Sequence, residues 1–295
     1  MSSFLAPLAP HGGPIVSFLK RRGRQIFSGS LAAFSPSRDS VFIDSEFRPD
    51  DSHTGSHAPR CVVVGPFLLL IGNMELTTDP AEARRWLDWL DLPKTEIRKL
   101  GSEILAGVFN DRREAADVAT SIEGNIYCTV NLLNESIPAT NDVRECGPGE
   151  CVKDAGIVRI RHLGLDIDSE RAADPAADDS DGKRAATNAE RNEALAVADK
   201  AAELAADLGW PEPARIDSGN GFYLFWKVDL PASDKGLIKN TLAEFAKRLG
   251  GKVDISVHNP ARIFRIPGSV NCKGNPTAAR PHRMARIISL PGVAL

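Results

Sequence analysis

Three carboxylates stand out for the chemistry their placing allows. Asp166 and Asp168 lie two apart in the apolar segment HLGLDID. In an extended strand that spacing puts both side chains on one face, about 6.5–7 Å apart. Leu165 and Ile167 then face the other way, into a core. Two carboxylates held like this repel unless a cation lies between them, and hard oxygen ligands suit Mg²⁺ or Mn²⁺. A D-x-D pair alone is weak evidence, because most sit at solvated strand ends. Asp254, in Val253-Asp254-Ile255, is a third acid at an expected strand start. It would complete a cage for two metal ions and in-line phosphoryl chemistry. Taken alone, it reads equally well as an ordinary strand-end aspartate.

Two further features suit a phosphate-bearing ligand. The turn DSGNG, Asp217 to Gly221, carries two glycines that permit positive φ. Its backbone N–H groups and the Ser218 hydroxyl can hold phosphate oxygens. Asn-Gly is also the commonest hairpin turn, and judged locally the plain turn is favoured. The second feature is a basic tail. From His258 to Leu295 there are six Arg or Lys and no acid, whereas Asp166 to Glu193 holds nine acids against four bases. A net charge of −3 therefore hides an acidic segment followed by a basic one, as expected where metal and phosphates meet. Arg262 and Arg265 offer bidentate contacts, and Lys273 offers a point charge.

The elements that must position these residues follow from local grammar. Asp79-Pro80 caps a helix that carries Trp86, Leu87 and Leu90 on one face. The spacing of Ile97, Leu100, Ile104 and Leu105 predicts a second helix from Thr95 to about Ala106, and a third runs from Asp111 or Arg112 to about Ile122. Asn125 to Asn134 reads as a strand. GIVRIRHLGLDID is a strand pair or one long bent strand. Ser169 to Ala186 is an acidic loop that lacks calcium-loop spacing. Thr187 to Glu190 matches a capping box and opens an alanine-rich helix to Leu208. ARIDSGNGFYLFWKVDLP reads as a hairpin, Ser233 caps a further helix, and short strands follow Val253. Hairpins with helices on one face predict an α+β domain on a mostly antiparallel sheet.

The segments LDID, DSGNGFYLFW and NPARIFRIPGSVNCKG, in that order, resemble the archaeo-eukaryotic primase superfamily. More closely, they resemble the primase-polymerase domains encoded by phages, plasmids and other mobile elements. The similarity runs from about Met74 to Ile288 and includes TVNLLN and GWPEP. It implies an α+β catalytic core with an RRM-like sheet and a smaller flanking α/β part. It implies template-directed nucleotidyl transfer, a DNA primase or polymerase with a two-metal site of Mg²⁺ or Mn²⁺. Asp166, Asp168 and Asp254 match the catalytic metal acids. Ser218, with Gly219 and Asn220, matches the turn that contacts the incoming NTP or dNTP. Arg262, Arg265 and Lys273 match the basic segment. In close relatives a histidine stands where this chain has Tyr223. Tyrosine donates one hydrogen bond but carries no positive charge, so a charged contact worth about 1.5–3 kcal/mol would be lost. A degenerate module that binds single-stranded nucleic acid or nucleotide without synthesis is the alternative. A metal-dependent nuclease would use the same acids but gives no reason for the turn or the basic strip.

The expected partners are a single-stranded DNA template and nucleotides. No G-x-x-x-x-G-K-[ST] loop occurs, so a replicative helicase would lie on a separate chain or beyond Leu295. Residues 74–295 form the expected catalytic domain. Residues 1 to about 60 are Ser-, Pro-, Gly- and His-rich, and residues 1–73 read as a disordered or mis-assigned extension, or as a transit peptide. Of these, an over-extended start is preferred, because Met74 sits where ordered structure begins. The apolar run Val62 to Ile71 is too short for a membrane span, which needs about 20 residues. Five irregularly spaced cysteines suit a reducing cytoplasm. Cys146 and Cys151 read as free thiols of a surface loop rather than a zinc clip with Cys128 and His162.

Overall fold

The computed structural model describes residues 77–147, 149–171 and 184–292. The expectations for residues 1–73, and most of the acidic loop, lie outside the described residues. Helix α1 (Pro80–Leu90) starts as its sequence dictates: Asp79 accepts the Glu82 N–H at 3.1 Å and proline fills the first turn. It buries Trp86, Leu87, Trp89 and Leu90. The expected helix over Thr95 to Ala106 is instead a hairpin of β1 (Thr95–Leu100) and β2 (Leu105–Phe109). The apolar spacing fits both forms, but pairing of β1 with strands on both sides settles it. Helix α2 (Arg112–Ser121) is capped by Asp111, which accepts two backbone N–H groups.

Strands β3 (Asn125–Thr129), β4 (Leu132–Leu133) and β5 (Arg144–Glu145) lead to β6 (Ile157–Ile167), a single long strand with a register shift between Ile160 and His162. Helix α3 (Asn188–Asp207) has the complete Thr187/Glu190 capping box. The hairpin of β7 (Ala214–Asp217) and β8 (Phe222–Pro231) precedes α4 (Leu237–Arg248). Ser233 does not cap α4. Gly236 holds the cap position, and Asp234 accepts the Gly236 and Ile238 N–H groups, because a carboxylate one residue further on reaches the first turn. The tail forms β9 (Ile263–Arg265), β10 (Val270–Asn271), β11 (Arg283–Met284) and β12 (Arg286–Ser289).

The chain is α+β, and every strand pairing is antiparallel. One five-stranded sheet runs β5-β2-β1-β3-β9 and another β12-β7-β8-β6-β4, with β10-β11 as a separate pair. Within the second sheet β6, α3, β7, β8 and α4 follow one another, while the spatial order is β6-β8-β7. That is the split β-α-β arrangement of RRM-like and ferredoxin-like sheets. Period two gives this sheet two distinct faces. Leu163, Leu165 and Ile167 pair with Trp226, Leu224 and Phe222 on one face. There Trp226 meets Trp210 at 5.2 Å and Phe245 of α4 at 6.1 Å. His162, Gly164 and Asp166 pair with Lys227, Phe225 and Tyr223 on the other. That face packs against Phe264 of β9, 4.8 Å from Phe225, and against Trp86 of α1, 4.9 Å from it. Among the described residues no helix is long and apolar enough to cross a membrane.

The tail is fastened by a buried ion pair. Arg280 grips Glu190 at 2.7 and 2.9 Å and the Ala185 carbonyl at 2.7 Å, with side chains 4% and 9% exposed. Removing one partner strands a buried charge. Arg280→Ala is expected to lower unfolding free energy by about 3–5 kcal/mol in urea titrations, far more than a surface ion pair would.

Candidate metal and nucleotide site

The last two residues of β6 lie between two neighbours. On one side Ile167 pairs with Phe222 of β8. On the other it bridges to Val253, and the Asp254 N–H donates to the Asp166 carbonyl at 2.9 Å. The sequence separates Asp166 from Asp254 by α3, a hairpin and α4, and the sheet edge reunites them. Asp168 continues from the end of β6. All three expected acids therefore share one strand end.

Their electrostatics show the crowding. Asp166 is held well above the usual carboxylate range, first by burial, then by the charges of Asp168 and Asp254. The charges of Lys273 and Arg262 pull it the other way. Among the described residues no side-chain hydrogen bond relieves Asp166. The other two acids have found substitutes. Asp168 accepts from Arg171 at 3.0 Å, and Asp254 accepts the Ser256 N–H at 2.8 Å, capping a single 3-10 turn (Ile255–His258). Among the described residues no group of three His, Cys, Asp or Glu converges tightly enough to hold an ion as it stands. The acids are neighbours, but Asp168 and Asp254 are each turned to a partner of their own.

The glycine turn lies directly beside them. A Cβ at Gly221 would lie 2.2 Å from Asp168 Oδ1 and 2.4 Å from the Ile167 carbonyl, so only glycine lets the turn close against β6. Gly219 sits at φ +87°, with the Arg283 carbonyl and Asn271 at 3.0 Å from its would-be Cβ. Ser218 is buried, and its hydroxyl serves the turn itself: it donates to the Gly221 carbonyl and accepts the Gly221 N–H, both at 3.0 Å. Asn220 is buried and accepts the Ala186 N–H at 2.8 Å. Tyr223 is the cross-strand partner of Asp166, so both point to the same face. Its ring packs 5.3 Å from Phe264, and burial followed by the Asp166 charge pushes its phenol well above the ordinary value.

The basic residues divide. Arg265 is buried and points inward, to the Val270 carbonyl at 3.1 Å, Asn125 at 2.8 Å and the Tyr127 hydroxyl at 2.9 Å. Arg262 donates to the Ser256 carbonyl at 2.5 Å, which ties it to the turn that Asp254 caps. Among the described residues the Lys273 ammonium has no hydrogen bond or ion pair. Arg171 and Asn271 are neighbours of the candidate site that sequence reasoning missed. Asn271 donates to the Ser218 carbonyl at 2.8 Å and accepts the Lys273 N–H at 3.2 Å, linking turn to lysine. No spacing rule marks either residue, because both reach the site through tertiary contacts.

Among the described residues the cysteines are free thiols. Cys128 is fully buried and its thiol is pushed up to about 12. His162 donates from Nδ1 to the Val130 carbonyl at 2.5 Å in a buried aromatic setting. Cys146 and Cys151 are free, but Cys146 is buried and only Cys151 is half-exposed, because Cys146 hydrogen-bonds back toward β2.

No family model matches the chain, and no curated protein matches it. A crystal structure of primase RepB' is similar, at a TM-score of 0.41 and 12% identity over 73% of this chain. The chain spans 57% of that protein's length. A likeness of this size assigns no role to any residue.

The raised Asp166 has a consequence for stability. Between the ordinary carboxylate value of about 4 and its higher folded value, the folded chain holds a proton that the unfolded chain has released. Stability therefore falls as pH rises through that window. Asp166→Asn removes the effect. In EDTA, the melting temperature of the parent is expected to decline relative to Asp166→Asn between pH 5 and pH 8. Parallel melting curves would contradict the crowded-acid description.

Proposed function

We propose that this chain is a template-directed nucleotidyltransferase, the DNA primase-polymerase domain of a mobile-element replication system. The observation that carries the reading is the gathering of Asp166, Asp168 and Asp254 at one strand end, beside Lys273 and Arg262. An unrelieved, half-buried carboxylate crowded by two others is costly unless a cation joins it. The donor set is all carboxylate oxygen, which fits Mg²⁺ or Mn²⁺. Asp166, Asp168 and Asp254 would hold the ions. Such ions, when bound, supply the positive charge that an attacking 3′-hydroxyl and a departing pyrophosphate require.

The chain's own residues do the rest. Lys273, whose ammonium is unpaired among the described residues, would draw a triphosphate toward the acids, and Arg262 adds a second positive charge. Asp168 must release Arg171, and Asp254 must share its carboxylate with more than the Ser256 N–H. The turn supports this geometry through Gly221, which lets Asp168 lie against it. Ser218 and Arg265 act from behind, Ser218 by bracing the turn and Arg265 by joining β9 to β3 and β10. Residues 74–295 are the proposed catalytic domain, in the cytoplasm. Its partners are a single-stranded DNA template, nucleotides and a helicase carried separately.

A second reading is favoured by one observation. Tyr223, Ser218 and Arg265 are buried and engaged within the protein, so fewer groups reach a nucleotide than the motifs imply. That would suit a module that binds single strands or nucleotides without synthesis.

The test is primer synthesis and extension on single-stranded DNA with Mn²⁺ or Mg²⁺ and all eight nucleotides. Product is expected from the parent and none from Asp166→Ala/Asp168→Ala, with Tyr223→His raising the rate. No product from the parent or from Tyr223→His, together with tight single-strand binding, would select the binding module.

A further inference from the structure

The glycine turn has a second side. Asp217 pairs with Phe222, so it shares that residue's face of the sheet, opposite Asp166 and Tyr223. Three arginines gather around the turn from three separate parts of the chain. Arg191 of α3 pairs with Asp217 and lies 5.8 Å over the Phe222 ring. Arg171, beyond β6, donates to Asp168 at 3.0 Å and to the Asn220 carbonyl at 3.2 Å. Arg283 of β11 donates to the Ala186 carbonyl at 2.7 Å and to Asn188 at 2.9 Å. Burial, and then the charge of Arg191, lowers Arg283 below the ordinary guanidinium value, and Arg171 adds to the effect. Against these three cations stand Asp217 and Asp168, and Asp168 belongs to the acid site.

Arg171 also donates to the Ser169 carbonyl at 3.1 Å and hydroxyl at 3.0 Å, yet some donors here lack acceptors. The Nε of Arg171, the Nε of Arg191 and the Nδ2 of Asn220 are buried with no partner, three of nine such side-chain atoms among the described residues. The Asn220 amide is not free to flip, because its Oδ1 accepts the Ala186 N–H at 2.8 Å. Asn220 is 4% exposed, so Nδ2 is a buried donor left over beside the peptide whose carbonyl Arg283 binds. Buried donors are nearly always paired. Repelling guanidiniums and unpaired donors around one turn share one remedy, an anion with several oxygens.

We propose that Arg171, Arg191, Arg283 and Asn220 form a phosphate-binding site around the turn. It borders the acid site at Asp168, which Arg171 binds, but uses neither the carboxylates nor Lys273. The N-terminal end of α3, at Asn188, adds its dipole in the favourable sense. The phosphate belongs either to a nucleotide's triphosphate or to the backbone of a single strand, which present the same oxygens. The claim concerns binding and stands whether or not the chain transfers nucleotides.

The test titrates the full chain, in EDTA and at fixed ionic strength, with inorganic triphosphate and separately with a single-stranded oligonucleotide. EDTA removes any cation-dependent binding at the acids. Arg171→Gln and Arg283→Gln are compared with Arg215→Gln, which removes a charge that pairs with Asp199 elsewhere on the sheet. Loss of one charge-assisted contact is expected to weaken binding about tenfold or more for at least one probe, with Arg215→Gln within about twofold. Loss confined to triphosphate assigns the site to a nucleotide, and loss confined to the oligonucleotide assigns it to a strand. If Arg283→Gln does not fold, Arg171→Gln decides alone. Three outcomes would overturn the site: no binding by the parent, unchanged affinity in the site variants, or an equal loss in Arg215→Gln.

Discussion

The contact on which the site depends is a backbone one, the 2.9 Å hydrogen bond from the Asp254 N–H to the Asp166 carbonyl. With the Ile167–Val253 bridge it brings a distant segment to the outer edge of β6. The fourth strand of an RRM-like sheet would run there, and here that strand is shortened to a single bridge before the chain turns at Ile255. The shortening leaves the Asp254 carboxylate at the strand end instead of within a ladder. Three carboxyl groups are thereby fixed near one another by main-chain geometry, which side-chain rotation relieves only in part. Arg171 and the Ser256 N–H provide that partial relief, and Asp166 receives none.

The rest of the second sheet makes this end rigid. One face is sealed by α4 and Trp210 against Trp226, the other by α1 and β9 against Phe225. A strand packed on both faces cannot shift to spread its acids. The same packing explains Tyr223. Its ring lies among Phe225 and Phe264, where an aromatic body is stabilised by burial and edge-to-face contact. A charged histidine at that position would be stabilised by Asp166 yet penalised by burial. The neutral phenol suits the packing better.

Much of this was legible in the sequence, and the reason differs by residue. Asp79, Asp111 and Thr187 announced their helices because a cap is a local interaction between residues a turn apart. Asp166 and Asp168 could be read as a pair because strand period fixes their common face. The hairpin around Ser218 was visible in its glycines. The β1–β2 hairpin was hidden, because apolar residues at Ile97, Leu100 and Leu105 suit a helix until β3 pairs with β1. The internal use of Arg265 was hidden likewise, since Asn125 and Tyr127 reach it across sequence distance. Arg171, Arg191 and Arg283 come from three segments, and no single segment reveals that they meet.

Cation binding tests the central claim most directly. The account predicts that the metal-free protein binds Mn²⁺ at neutral pH, followed by the loss of its free-ion spin resonance signal. Asp254→Asn should weaken that binding about tenfold or more, because it removes one hard oxygen ligand while its N–H still bridges to Asp166. Equal affinity in parent and variant, or no binding by either, would contradict it.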